Sequence, residues 1–303
     1  MTGDGQGAGA ADASIFDPPH AAVAEAVRIA LAEDLLPLGD LTAALVPASV
    51  IRSVAVVSRT AGVVAGRACA VETLAQVDPS VDVAWRLDDG SAVIPGSVVA
   101  VLTGPLRSIL TAERTALNFL GHLSGVATLT RAFVDVVAAA NPGTRVLDTR
   151  KTTPGLRSLE KAAVRAGGGT NHRGSLSDAV LVKDNHLGGV SITQAVGQAR
   201  RLWPGRMVEV ECDRDEQVAE ALAAGATVIM LDNMTSDQVK ACVGLVQDSG
   251  TATLVEVSGG VDLDSAPGYA AAGADLISVG ALTHSARVLD LGLDLMPDLG
   301  GGA

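Results

Sequence analysis

Apolar residues in the stretch HAAVAEAVRIALAEDL return at helical spacing until the Pro and Gly of LLPLGDLT interrupt them, which predicts a helix ending near Leu35. From Ser53 to Thr103 the pattern shortens to Val-rich runs, VAVVSRTAGVVAG, VDVAWRLDDGSAVIPG and SVVAVLTG, divided by Gly, Pro and Asp-Gly. Such runs predict antiparallel strands and hairpins, and with the first helix they make a small α+β domain. Helical spacing resumes through SILTAERTALNFLGHLSGVATLTRAFVDVVAAA, where Gly121 and Gly125 are expected to divide two helices and the domain boundary is expected to fall.

Beyond Thr144 the runs TRVLDTR, AVLVKDN, MVEVEC, TVIMLDN, TLVEVSGG and LISVGAL are apolar until they end in polar residues, and helical segments such as DEQVAEALAAG and APGYAAAG lie between them. Parallel strands buried on both faces and joined by crossover helices read this way, so a β/α barrel is favoured over a doubly wound sheet. Six runs fall short of a closed barrel of eight strands. Either the barrel is incomplete or earlier elements fill the gap.

A length of 303 residues accommodates two unequal domains or one barrel with additions. Hydrophobic residues make up 48% of the chain and aromatics only 2%, so the core must pack from small aliphatic side chains, and base stacking on aromatic platforms is disfavoured. The net charge of −12 argues against a nucleic-acid or anionic-membrane partner. No run is expected to be long and apolar enough to cross a membrane. Cys69, Cys212 and Cys242 are widely spaced and form no CxxC pair, which predicts neither a disulfide framework nor a zinc site and fits a reducing cytoplasm. The start, MTGDGQGAGAADAS, is Gly/Ala-rich and acidic without a basic or apolar signal region, so residues 1–14 read as a disordered tail.

Against this acidic background, residues 145–183 hold eight of the 22 Lys and Arg and only three carboxylates. A solvated basic helix face gives the same count. The setting favours a ligand site, because reacting groups of a barrel lie at the carboxyl ends of its strands. Here those ends carry Arg150 and Lys151, Lys183, Glu209 and Glu211, Asp232, Ser258 and Gly280. Arg and His donors in such a field suit carboxylate and phosphate. Glu209 and Glu211, two residues apart, project from one face of their strand, and an inward face would carry both into the barrel mouth. Buried carboxylates need a cation. With Asp232 they offer oxygen ligands to Mg²⁺, while Lys151 or Lys183 offers an ion pair instead, and the two readings are compatible. VSGGV and SVGAL, at the ends of the last two strands, can bring backbone N–H groups to a phosphate. GGGTNHRG adds a glycine-rich loop carrying His172 and Arg173, whereas His20 and His122 lack such a context.

The motifs DTRKTTPGLR, GGGTNHRGSLSDAVLVKDNH, VEVEC, IMLDNM, VEVSGGV and ISVGALTH, with EDLLPLGDLT and TAERTALNFLGHLSGVAT before them, resemble the quinolinate phosphoribosyltransferase family of type II phosphoribosyltransferases. The likeness runs from about Glu33 to Leu291, in order across both domains. It implies an α/β fold: an N-terminal open sandwich over 15–116 with 285–303, and an incomplete, six-stranded α/β barrel over 117–284. It also implies transfer of phosphoribosyl from phosphoribosyl pyrophosphate to quinolinate, giving nicotinate mononucleotide, pyrophosphate and CO₂ in NAD synthesis, with Mg²⁺ required and the site completed across a homodimer. Residue by residue, the resemblance assigns the substrate carboxylates to Thr149, Arg150, His172 and Arg173, with Arg114 supplied by the partner subunit. Lys151 and Lys183 fall near the diphosphate, and Glu211 and Asp232 hold Mg²⁺ or the ribose hydroxyls. Ser258, Gly259, Gly260, Val279, Gly280 and Ala281 surround the 5′-phosphate, with His284 as a further contact.

Other readings remain at this point. A transferase of the same fold could act on nicotinate, or be the molybdenum-transport-associated homologue, although the dense Arg/His set suits a doubly charged substrate better. Lys151 or Lys183 at a strand end could be a Schiff-base nucleophile of an aldolase if desolvated. A non-catalytic anion sensor would leave the carboxylates opposite the cations without a use.

Overall fold

In the computed structural model, which describes residues 17–297, the chain divides into two compact units. One runs up to Ser124 and resumes at Leu289, and the other is Gly125–Val288. The division falls inside the helical stretch, beyond the boundary drawn between residues 116 and 117. The expected tail over 1–14 lies outside the described residues.

The first unit begins with α1 (His20–Leu35), which buries Val23, Val27 and Leu31 along one side. Then come β1 (Ile51–Ser58), β2 (Gly62–Val63), α2 (Arg67–Val77), β3 (Asp82–Trp85), β4 (Ala92–Val93) and β5 (Val98–Pro105). Val54, Val56, Val99 and Leu102 from the strands and Ala70 and Leu74 from α2 meet in a core of small aliphatic side chains.

Helix α3 (Leu106–Ala140) corrects two expectations. It is one unbroken element of 35 residues, not two helices divided at Gly121 and Gly125. These glycines serve close approach of backbone. The Gly121 carbonyl accepts the Leu289 N–H at 3.0 Å, and a Cβ on Gly125 would overlap the Arg287 carbonyl oxygen. By length and composition α3 would also pass as a membrane span, against the expectation that no run does. Its apolar residues are instead core: Ile109, Ala112, Leu117 and Leu120 are buried in the first unit, and Val126, Ala127, Phe133 and Val137 in the second.

The second unit continues with β6 (Arg145–Leu147), α4 (Arg157–Ala166), β7 (Val180–Val182), α5 (Asp184–Leu187), α6 (Ile192–Leu202), β8 (Val208–Cys212), α7 (Asp215–Ala224), β9 (Val228–Asp232), α8 (Ser236–Asp248), β10 (Leu254–Ser258), α9 (Ala266–Ala271), β11 (Leu276–Ser278) and α10 (Ala281–His284). Ser191 and Thr235 cap α6 and α8 through reciprocal bonds with Gln194 and Gln238, so these crossover helices start where the sequence marks them. The strands are the six expected from the apolar runs. They pair in parallel in the order β6-β11-β10-β9-β8-β7. The barrel is open between β6 and β7, where a single parallel bridge joins Leu147 to Thr170. Finally β12 (Leu291–Leu295) returns to the first unit and pairs with β1, giving an antiparallel sheet in the order β12-β1-β5-β3 beside the small β2-β4 pair.

Candidate active site

A cavity of about 590 Å³ opens at the carboxyl ends of the parallel strands in the second unit. Thr149, Arg150 and Lys151 enter it from the turn after β6, and His172 and Arg173 from the segment that continues the Leu147–Thr170 bridge. Lys183 follows β7, Glu211 lies on β8, Asp232 ends β9, Ser258 to Gly260 end β10, and Ser278 ends β11. Leu181 and Met230 add apolar wall, and Asn233 completes the polar rim. Sequence reasoning had not singled out these last three as site residues.

Of the other expected residues, Arg114 belongs to the first unit and does not line this cavity. Val279, Gly280, Ala281 and His284 are likewise outside its lining. Gly280 and His284 nonetheless border it through Lys151, since a Cβ on Gly280 would meet His284 Nε2 at 3.0 Å and Lys151 Cδ at 3.1 Å. Glu209, expected in the mouth beside Glu211, lies deeper and is sealed from solvent.

The eight cations of the basic segment divide by use. Arg150, Lys151, Arg173 and Lys183 face the cavity, and Arg145 is exposed at the start of β6. The three on α4 hold the loops behind them. Arg157 donates to Thr152 Oγ1 at 3.1 Å and to the carbonyls of Gly174 at 3.1 Å and Arg150 at 3.5 Å, tying the two cation-bearing loops together. Lys161 is ion-paired with the fully buried Asp148 and donates to the His172 carbonyl at 2.9 Å. Asp148 also accepts from the His172 N–H at 2.9 Å and from Asn171 Nδ2 at 2.6 Å, while Arg165 donates to Asn171 Oδ1 at 2.5 Å. Burial pushes the Asp148 carboxyl up and the Lys161 ammonium down, each against the pull of its partner. The helix is therefore neither a solvated basic face nor a ligand contact.

His172 is committed to protein on both ring nitrogens. A backbone N–H can only donate, so the 2.8 Å contact from Arg173 N makes Nδ1 an acceptor and leaves the ring proton on Nε2. That nitrogen faces Glu209 at 3.1 Å and Glu256 at 3.5 Å. Burial opposes charge on the ring, but the two carboxylates outweigh it and raise the His172 pKa; burial raises that of Glu209 as well. The cluster thus holds protons tightly. Because the Arg173 N–H occupies Nδ1, the ring turns its Nε2 proton toward the two carboxylates.

Arg150, Lys151 and Arg173 form no ion pair among the described residues. Arg150 Nε is buried without a hydrogen-bond partner, and Arg173 donates to the Ala179 carbonyl at 3.2 Å. Burial and then the charge of Arg150 lower the Arg173 pKa, so the two guanidiniums lie within each other's field. Such a pair matches two carboxylates by its fork geometry. Across the cavity Lys183 is ion-paired with Glu211, and Asp232 accepts from Asn233 Nδ2 at 2.6 Å. Glu211 and Asp232, on adjacent strands, are hard oxygen donors beside the anion site, a set that fits Mg²⁺.

The quinolinate phosphoribosyl transferase N-terminal domain matches residues 40–124, and the C-terminal domain of the same name matches residues 126–294. The chain is 43% identical over 279 residues to the nicotinate-nucleotide pyrophosphorylase (carboxylating) of Mycobacterium leprae (strain TN), covering 90% of this chain and 97% of that one. It is 38% identical over 294 residues to quinolinate phosphoribosyltransferase (decarboxylating) 1 of Nicotiana glauca, covering 90% and 82%. Among solved structures, the nicotinate-nucleotide pyrophosphorylase from Francisella tularensis superposes with a TM-score of 0.87 at 39% identity, covering 93% of this chain and 99% of that one.

Proposed function

This chain belongs to the quinolinate phosphoribosyltransferase family, and from that membership we propose that it is a carboxylating nicotinate-nucleotide diphosphorylase of NAD biosynthesis. It transfers phosphoribosyl from phosphoribosyl pyrophosphate to quinolinate and releases pyrophosphate and CO₂. The observation that carries the reading is the Arg150 and Arg173 pair, whose charge no protein carboxylate neutralises by ion pairing among the described residues. Two guanidinium forks call for a ligand with two carboxylates, which quinolinate has and nicotinate lacks. Lys183 is ion-paired with Glu211, which speaks against a Schiff-base role.

In this reading Arg150 and Arg173 bind the pyridine dicarboxylate, with Leu181 and Met230 as apolar wall. Lys151 and Lys183 receive the diphosphate, and the backbone N–H groups of Ser258, Gly259 and Gly260 receive the 5′-phosphate. Glu211 and Asp232 would hold Mg²⁺, which when bound supplies charge neutralisation to a departing diphosphate. As the ribose–oxygen bond breaks, positive charge develops on the sugar, and the same carboxylates stabilise it electrostatically while the pyridine nitrogen attacks. The positive ring nitrogen then stabilises the electron pair left on C2 by the departing CO₂, and that carbon takes a proton from water to give nicotinate mononucleotide. The arginines must therefore grip that carboxylate no more tightly before its loss than during it. A homodimer that brings Arg114 to the substrate completes the proposal, and three free, buried cysteines suit a reducing cytoplasm.

The test is a coupled assay with purified protein, phosphoribosyl pyrophosphate and Mg²⁺, following nicotinate mononucleotide and CO₂, with quinolinate and nicotinate in parallel. Equal amounts of both products from quinolinate alone are expected. Product from nicotinate alone would reassign the chain to a non-decarboxylating transferase.

A further inference from the structure

We propose that Glu209 and Glu256 are positioning residues for substrate binding: with Nε2 of His172 held against Glu209 Oε1 at 3.4 Å and facing the Glu256 carboxylate at 3.5 Å, they keep its Nδ1 against the Arg173 N–H and so set the place of the Arg173 guanidinium. The proposal rests on the functional reading above. Neither glutamate reaches the cavity lining, and the two come from β8 and β10, on either side of β9. Both are buried, at 0% and 1% exposure, and Glu209 Oε2 and Glu256 Oε1 make no hydrogen bond of good geometry. Two carboxylates in such a place cost stability that apolar residues would not, so their presence calls for a use.

A metal site is the first alternative, since ligand atoms of His172, Glu209 and Glu256 lie within 4.8 Å of one another. The Arg173 N–H rules against it. With Nδ1 taken as an acceptor at 2.8 Å, the proton sits on Nε2, the nitrogen that would have to ligate the metal. Read as a proton donor, Nε2 fixes the ring between the strands and the loop. Arg173 itself stands outside regular secondary structure. Apart from the chain on either side, its backbone is held through that ring, and its guanidinium through the Ala179 carbonyl at 3.2 Å. If the ring turns, Arg173 loses its anchor while Arg150, held from α4 by Arg157, keeps its own.

The experiment compares full-length wild type, Glu256→Leu and Glu256→Gln by steady-state kinetics, thermal unfolding and ¹⁵N shifts of the His172 ring. Glu256→Leu is expected to raise the KM for quinolinate at least tenfold, with kcat within threefold, the KM for phosphoribosyl pyrophosphate within twofold, and the unfolding temperature at or above wild type. Glu256→Gln, whose amide oxygen can keep facing the Nε2–H, is expected to restore the quinolinate KM to within threefold. An unchanged quinolinate KM in Glu256→Leu would overturn the proposal, as would a drop in unfolding temperature with both KM values rising together. Wild-type ring shifts should show a protonated Nε2 and a bare Nδ1; the reverse would overturn it whatever the kinetics. Wild type that fails to turn over quinolinate would count against the functional reading alone, because the ring shifts judge the positioning separately.

Discussion

A Cβ on Gly259 would overlap the side-chain oxygen of Asn233 and stand 2.8 Å from the Asn233 backbone nitrogen. The two residues follow the ends of adjacent strands, Gly259 at φ +94° and Asn233 at φ 57°, both left-handed. The Asn233 N–H donates to the Ser258 carbonyl at 3.0 Å, which locks the turns together. Only glycine fits at 259, and the turn it forms presents the Ser258 to Gly260 backbone to the cavity.

Gly259→Ala should therefore raise the KM for phosphoribosyl pyrophosphate at least tenfold, since a forced left-handed residue costs about 1–3 kcal/mol before the clash is counted. Steady-state kinetics with each substrate varied in turn will check this. A wild-type KM would show that the 5′-phosphate does not rest on this turn.

Arg150→Ala should weaken quinolinate binding by about 2–4 kcal/mol, or roughly 30- to 1,000-fold, the scale for removing one partner of a buried charge pair. Arg150→Lys should recover only part of the loss, because an ammonium cannot form the fork. Titration calorimetry measures both directly. Affinity within a few-fold of wild type in Arg150→Ala would remove Arg150 from the carboxylate site.

Lys161→Met should destabilise the fold by about 3–5 kcal/mol, because it leaves the charge of the fully buried Asp148 without its cation. The double variant Lys161→Met with Asp148→Asn should lose less than the two single losses combined. Urea unfolding curves decide the matter, and additive losses would mean that the pair is not coupled.

Asp89 predicts a pH dependence of stability. It accepts the N–H groups of Gly66 at 3.0 Å and Arg67 at 3.3 Å where α2 begins. Burial nevertheless pushes its carboxyl from 3.8 up to about 6. The folded state then binds this proton more tightly than the unfolded one, so the stability it confers is present below pH 3.8 and is lost as the pH rises through about 6. Asp89→Asn carries no such proton. Its unfolding temperature should gain on wild type between pH 4 and 6, and a difference that is flat with pH would refute the shift.

The strand ends were legible because each apolar run stops at a polar residue, as at Lys183, Asp232 and Ser258, and a parallel strand has few other ways to read. Glycine was not so legible. Gly121 and Gly125 look like helix breaks along the chain, and only the nearness of Leu289 and Arg287 shows why a side chain is unwelcome there. The residues behind the site were harder still. Lys161 was visible as a member of the basic cluster and Asp148 as one of its three carboxylates, yet nothing in their spacing says that they face inward and brace Asn171 and His172. Glu256, a lone carboxylate inside LVEVS, carries the same signal as Glu209 inside VEVEC: a charge flanked by valines in a buried strand requires a partner. His172 was expected at the substrate, and its ring nitrogens turn out to be spent on the protein that surrounds it.

The pairing of β12 with β1 has a consequence for biosynthesis. The second unit is one continuous piece of chain, whereas the first unit's sheet needs Leu291–Leu295, which leave the ribosome only after the whole second unit. At ordinary elongation rates, roughly 10–40 s separate the emergence of β5 from that of β12. Throughout that interval β1 is an unprotected edge strand, its outer ladder unmade and the apolar places of Leu291 and Leu293 unfilled. Synthesis thus completes the second unit's chain before the first unit's sheet can close, and the nascent chain is most exposed to mispairing and to chaperone capture at β1.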